Sequence, residues 1–210
     1  MENIGQYNIE YKNCRCFWGK EPAKFVKLIP KYVNTTSKVL DIGAGEGKNS
    51  FYLASLGHRV TAIEISPFAV KNFVNRLIQE QKKSPKNIEN IQLILGDFNE
   101  FSSYYKYDII VSYGFLHCLE SVEKLEEATR KTKNLTKKGG VNVVCSFTND
   151  LPIPKIQKYL TATLLSGKEI KKLYDDWKII EYENGIIEHS HPTSKTIHKH
   201  SVCRLIAKKT

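Results

Sequence analysis

VLDIGAGEGKNS, residues 39–50, decides how the rest of the chain is read. An aliphatic run carries Asp41, and Gly43, Gly45 and Gly47 then open directly into a segment with helical spacing. Strand, glycine turn and helix in that order make a backbone cradle. Glycine permits left-handed φ and leaves no Cβ between the chain and a ligand. The spacing is GxGxG, with Lys48 where a dinucleotide fingerprint wants glycine, so NAD fits less well. Lys48 is followed by Asn49, not by Ser or Thr, so no phosphate-binding P-loop is present either.

Outward from this turn, aliphatic runs at 38–43, 58–65, 91–97, 107–113 and 141–147 read as strands. Amphipathic segments at 47–57, 66–83 and 121–135 fall between them, the pattern of an α/β fold with a mostly parallel sheet. Ser66-Pro67 is a good N-cap and first-turn pair, Gly57 closes the first helix, and Lys137 to Gly140 predict a turn into the fifth strand. Pro152 and Pro154 make 151–160 a loop or lid, and 166–176 reads as a short capped helix. Residues 177–185 and 198–209 are two strands with no helix between them, hence antiparallel. One domain is expected over 1–210: a cap segment (1–37), a core (38–147), and a lid with C-terminal strands (148–210).

Composition excludes several functions. A chain of 210 residues, 41% hydrophobic and 26% charged, is an ordinary globular one. No apolar run is long enough for a bilayer, and the N-terminal stretch lacks the apolar core of a secretory signal, so a cytoplasmic protein is expected. The net charge of +10 invites a nucleic-acid partner, yet the lysines are dispersed and arginine is scarce. No specific nucleic-acid binding and no membrane contact are expected, and the lysine-rich surface favours small anions. Five scattered cysteines include only one close pair, Cys14 and Cys16, whose spacing suits neither zinc nor a redox motif. No heptad or apolar stripe demands a partner, so the chain is expected as a monomer or homodimer.

Two acids extend the glycine signal. Glu64 lies near the end of the second strand, seventeen positions after Gly47, placed to accept hydrogen bonds from ribose hydroxyls. The third strand ends in Gly96-Asp97-Phe98, where a carboxylate and an aromatic suit an adenine. The plain alternative is that both acids only cap helices in βα loops.

The segments VLDIGAGEGKNSFYLASLGHRVTAIEIS, ILGDFNEF, YDIIVSYGFLHCL and LTKKGGVNVV, in that order, resemble the class I S-adenosylmethionine-dependent methyltransferases. The resemblance implies a Rossmann-like α/β fold: a seven-stranded, mostly parallel sheet with an antiparallel C-terminal strand and helices on both faces. It implies S-adenosylmethionine as cofactor and S-adenosylhomocysteine as product. It further implies that Asp41, Gly43 and Gly45 border the methionine end, with Ala44 and Asn49 of the same loop in contact. Glu64, with Ile65 beside it, would take the ribose, and Asp97 with Phe98 the adenine. Ser112 and Tyr113 would lie near the reacting methyl, Tyr113 as a catalytic candidate.

Within that class, GEGKNSFYLASLGHRVTAIEIS, Trp177 and RLIAKK are similar to the tellurite-resistance methyltransferases of the TehB type. There a histidine matching His189 is a proposed active-site residue, whereas Ser190 and Ile197 stand where that family has arginines. This implies a small acceptor, a chalcogen oxyanion such as tellurite or selenite, or a thiol. The alternative is a metabolite or natural-product O- or N-methyltransferase with His189 as general base. SYGFLH stands in place of an NPPY-type motif, against the nucleic-acid adenine and glutamine N-methyltransferases.

Trp18 reads either as an aromatic cap over the cofactor or as a staple holding the N-terminal arm. His117 reads as a structural histidine. EHSHPTSKTIHKHS (188–201) holds four of the six histidines. Strands at 182–191 and 198–207 would pair His189 with His200 and His191 with His198, all on one face, with Glu188 on the other. His191, His198 and His200 are therefore candidate acceptor-binding residues. No metal is assigned, because no familiar ligand set is completed; anion contact, metal and a solvated hairpin remain the three readings.

Overall fold

Strand β1 (Lys38–Ile42) runs into the glycine turn, α2 (Lys48–Ser55) follows, and β2 (Arg59–Glu64) returns beside β1 in parallel register. Ahead of them, α1 (Glu2–Asn13), absent from the expected elements, and a 3₁₀ turn (Val26–Lys31) form the N-terminal arm. The chain continues through α3 (Pro67–Lys83), β3 (Ile91–Leu95), β4 (Tyr107–Tyr113), α4 (Val122–Leu135) and β5 (Thr136–Phe147). It ends with α5 (Gly167–Lys172), β6 (Lys178–His191) and β7 (Ser194–Lys208). This computed structural model describes residues 2–33, 35–83, 88–154, 161–191 and 194–210, with the side chains of all but 2–6, 189, 191, 194 and 195.

The seven strands form one sheet in the order β3-β2-β1-β4-β5-β7-β6. β1 to β5 are parallel, and β7 inserts antiparallel between β5 and β6. Alternation along each strand sorts two cores. Val39, Val60, Ile109, Val111 and Val143 pack against Leu53 and Ala54 of α2 and against Val26 and Ile29 of the arm. Leu40, Ile42, Ile63 and Ile110 face the other way, onto Ala128 of α4. On that second face, Ile170 of α5 packs against Val144 and Leu205. Helices therefore cover both faces, as the resemblance implied.

Local signals explain most boundaries. Ser121 Oγ accepts the Lys124 N–H at 3.3 Å to start α4, and Ser66 Oγ accepts that of Ala69 at 3.3 Å to start α3. Ser166 and Glu169 form a reciprocal capping box on α5. That helix ends at Lys172, before the expected residue 176. Gly47 has φ +82°, and a Cβ there would run into the Phe73 ring, so this glycine serves the packing of α3 on the turn.

Two expectations change. Lys137 to Gly140 form a bulge inside β5, with Gly139 at φ +76°, and the strand begins at Thr136. The C-terminal hairpin is also longer than expected. β7 begins at Ser194, so Thr196 and Ile197 are strand residues and the pairing slides by two positions. His189 stands opposite His198 and His200 opposite Ile187. A two-residue slide preserves the face of every side chain but changes each partner. Glu188 is on the opposite face, paired with Lys199 at 2.8 Å.

Candidate functional site

A cavity of about 1220 Å³ opens at the carboxyl ends of β1, β2 and β4 and extends along the sheet toward β5 and β7. β1 has β2 on one side and β4 on the other, so this is the point where strand order reverses and α/β folds bind ligands. The volume exceeds the roughly 300–1,000 Å³ of a single small-molecule pocket, which leaves room for two ligands side by side.

At one end the glycine turn is held by a buried acid. Glu64 Oε2 accepts the Gly45 N–H and Oε1 the Ser66 N–H, each at 2.8 Å. Burial raises the carboxyl pKa while these backbone donors pull it down. The Ile65 N–H is a third backbone donor, and with about four lone-pair sites on a carboxylate, accepting capacity remains for a hydroxyl presented from the cavity. Gly43 and Gly45 sit at φ +64° and +57°, and a Cβ on Gly45 would lie 2.9 Å from the Tyr11 hydroxyl. Across the turn, Asp97 Oδ1 caps the Asn99 N–H at 2.7 Å. Phe98 is buried edge-on to Phe115 at 5.7 Å, and Lys131 sits 4.8 Å above its ring.

The N-terminal arm closes this end. Glu46 of the glycine turn accepts the N–H groups of Cys16 and Phe17, both at 2.8 Å, and the Asn72 amide at 3.0 Å. Lys48 Nζ donates to the Trp18 carbonyl at 2.9 Å, and Asn49 Oδ1 accepts the Ala23 N–H at 2.9 Å. Tyr7 and Tyr11 of α1 and the Trp18 ring consequently line the cavity. Trp18 packs edge-on against Phe17 at 5.1 Å and lies 6.3 Å from Phe147.

The other end is a cross-strand row. Tyr113, Cys145, Arg204 and Glu183 are register partners on β4, β5, β7 and β6, so their side chains share one face. Arg204 Nε donates to the Tyr113 hydroxyl at 3.1 Å, and Nη1 to Glu183 at 2.6 Å. Burial pushes the Tyr113 hydroxyl well above its usual range, so it stays protonated. Burial likewise raises the Cys145 thiol to about 11.

His117 closes the floor. Its Nδ1 accepts the Phe147 N–H at 3.2 Å, so in the neutral ring the proton is on Nε2. Burial lowers its pKa to about 3, which keeps the ring neutral above that. Its Nε2 is buried and has no hydrogen-bond partner among the described residues.

Of the expected site residues, Trp18, Gly43, Ala44, Gly45, Asn49, Glu64, Ile65, Asp97, Phe98 and Tyr113 all border this one cavity. Asp41 does not. It is buried beneath the turn, where Oδ2 accepts the Ser50 hydroxyl at 2.6 Å and burial raises its pKa to about 7. Ser112 is also buried outside the lining, because alternation turns it to the opposite face from Tyr113. His198 and His200 are buried in a ring stack: His200 lies 4.3 Å from Phe147, and His198 is edge-on to His200 at 5.0 Å. They border Phe147 and do not themselves line the cavity. The side chains of His189 and His191 lie outside the described residues. Ser190, at one of the two arginine positions of the TehB pattern, borders the cavity; Ile197, at the other, is exposed. Among the described residues no group of three His, Cys, Asp or Glu side chains is arranged to hold a metal, and no helix is long and apolar enough to cross a membrane.

Sequence reasoning missed Glu46, Cys145 and Arg204. Glu46 is an "x" of GxGxG, visible as an acid but not as a clamp. Arg204 and Cys145 become site residues only through strand register.

The family model for the tellurite resistance protein TehB matches residues 25–199. The chain belongs to that family. It is 32% identical over 153 residues to a probable S-adenosyl-L-methionine-dependent methyltransferase TehB of Haemophilus influenzae, an alignment covering 72% of this chain and 49% of the relative. The chain thus spans about half the length of the curated relative it matches. The crystal structure of TehB from Haemophilus influenzae superimposes with a TM-score of 0.72 at 25% identity, covering 90% of this chain and 62% of that one. The fold is equally similar to the N-methyltransferase NodS from Bradyrhizobium japonicum in complex with S-adenosyl-l-homocysteine. That match has a TM-score of 0.72 at 16% identity and covers 100% and 99% of the two chains.

Proposed function

We propose that this member of the TehB family is an S-adenosylmethionine-dependent methyltransferase acting on a small acceptor, with a chalcogen oxyanion or a thiol as the favoured nucleophile. The observation that carries it is the buried Glu64 carboxylate, held by the Gly45 and Ser66 N–H groups at the wall of a cavity large enough for two ligands. The residues present fit the cofactor. Gly43 and Gly45 make a cradle that side chains would fill, and Glu64 suits the ribose. Asp97 and Phe98 suit the adenine, and Trp18 offers an aromatic wall beside the sulfonium. Asp41 acts one layer below, through Ser50, on the shape of the turn.

When bound, S-adenosylmethionine supplies a methyl group already activated by its positive sulfur. The chain's own task is alignment and exclusion of water. Trp18, Phe147 and Tyr113 wall the space beyond the cradle, and the arm clamped by Glu46 covers it. A thiolate or chalcogen oxyanion arrives with its lone pair free and needs no proton removed, in keeping with a lining whose tyrosine is held protonated and whose His117 is held neutral. His189 stays the leading candidate for a base or acceptor contact.

Isothermal titration with S-adenosylmethionine and S-adenosylhomocysteine tests the cofactor; binding of neither sinks the reading. A turnover screen across selenite, tellurite, thiols, phenols and amines then follows release of S-adenosylhomocysteine, repeated with His189→Ala. Turnover of phenols or amines alone, abolished in the variant, would replace the soft acceptor with general-base chemistry.

A further inference from the structure

We propose that Arg204, aimed along the sheet from β7 over Cys145 to Tyr113, is the residue that holds the negative charge of a small oxyanionic acceptor and so sets acceptor specificity. The inference rests on reading the cavity as a methyl-transfer site, and it assigns to a C-terminal strand residue the role that the histidine strip was expected to fill.

The geometry excludes a simple surface ion pair. Arg204 starts one strand beyond Cys145 and two beyond Tyr113, yet its Nε reaches the Tyr113 hydroxyl at 3.1 Å. The guanidinium therefore reaches across the face that lines the cavity, and its side chain is only 11% exposed. A guanidinium has five N–H donors in a planar fork. Nε donates to Tyr113, Nη1 to Glu183, and the guanidinium also meets the Cys145 sulfur, so these three contacts do not exhaust its five donors. Glu183 does not neutralise the site, because the same carboxylate is shared with Lys24. Two cations on one acid leave an excess positive charge beside the apolar wall of Trp18, Phe147 and Val202. Keeping that excess charge there is costly unless something anionic completes it.

Tyr113 strengthens the case. Its oxygen accepts from Arg204 Nε, and its own proton is engaged with the neighbouring Cys145 sulfur, a weak acceptor that an oxyanion in the same space outcompetes. An oxyanion seated there receives a charged fork from one side and a neutral hydroxyl from the other, the combination that makes charge-assisted hydrogen bonds strong. The histidines at the far side of Phe147 are one ring further away and supply none of this.

The test titrates selenite, as an oxyanion probe, into the free chain and into its S-adenosylhomocysteine complex. Wild type is expected to bind it. Arg204→Met is expected to weaken selenite about tenfold or more, with S-adenosylhomocysteine affinity within about twofold of wild type. Arg204→Lys, which keeps the charge and loses the fork, falls between. Glu183→Gln removes the competing carboxylate and is expected to tighten selenite several-fold, an outcome a purely structural ion pair does not produce. Should Arg204→Met fail to fold, the Glu183→Gln and Arg204→Lys results decide alone. The proposal is overturned if wild type does not bind selenite, if Arg204→Met binds it as wild type does, or if Glu183→Gln leaves it unchanged. Loss of S-adenosylhomocysteine binding in wild type, with selenite still dependent on Arg204, sinks the methyl-transfer reading and leaves the arginine site standing.

Discussion

One end of the cavity is built from consecutive residues and the other from residues brought together across the sheet. Gly43, Gly45 and Glu64 lie within 22 positions of each other, and the bond from Gly45 to Glu64 spans 19. At the other end, the bond from Arg204 to Tyr113 spans 91 positions and that from Lys24 to Glu183 spans 159. The first is a strand-turn-helix device whose chemistry travels with a short motif. The second exists only because β7 inserts between β5 and β6, and a two-residue slide of the hairpin reassigns the histidine pairs. A local cradle can be inherited whole, while an end assembled across strands is free to vary, and one fold can carry many different sites in this way.

Glu64→Ala is expected to have the largest effect. It removes the backbone bonds that tie the cradle to β2 and the carboxylate that borders the cavity. S-adenosylhomocysteine affinity is expected to fall about 100-fold or more by titration calorimetry, and selenite binding to the free chain is expected to hold. A loss under tenfold would mean that Glu64 is a cap and nothing more.

Glu46→Gln tests what joins the two ends. It weakens the clamp on Cys16 and Phe17 and so loosens the Trp18 wall. Cofactor affinity is expected to drop about tenfold, with faster proteolysis ahead of Ala23. An unchanged affinity would show that the arm does not bear on the cofactor.

The smallest effect is in pH dependence, where the two ends oppose each other. Burial raises Asp41, under the cradle, from 3.8 to about 7. The folded chain therefore holds a proton that the unfolded chain has lost, and stability falls as pH rises through that window. Burial lowers His117, under the cross-strand end, from 6.5 to about 3. There the unfolded chain binds the extra proton, and stability is lost as pH falls from 6.5 toward 3. Asp41→Asn should leave stability climbing more steeply with pH than in wild type. His117→Gln should leave it falling with pH, each by at most about 1.4 kcal/mol per pH unit. Urea titrations between pH 4 and 7 read both slopes, and parallel curves for all three chains would remove the burial argument.

Much of the fold was legible because it is local. The capping serines, the aliphatic runs and the glycine turn each act within a few residues. Two misplacements in the fold share a cause. The β5 bulge and the hairpin register depend on which strand lies alongside, and a run of amino acids does not carry that information. His198 and His200 misled for the same reason: their spacing was right for one face, but that face is covered by Phe147 before it reaches the cavity. Ser112 and Tyr113, adjacent in the chain, face opposite sides of the sheet, so only one of them can border the cavity.

By itself the sequence determined the α/β order, the cradle at 43–45 with Glu64, and the family, since each follows from backbone freedom, hydrophobic period or short spacing. Tertiary structure alone decided that Asp41 lies beneath the cradle and not in it, that Glu46 clamps the arm, and that Arg204 meets Tyr113 over Cys145. The first two depend on how α2 and the N-terminal arm pack on the turn; the last depends on pairing between distant strands, where register is set by the burial of a whole face and no single segment encodes it.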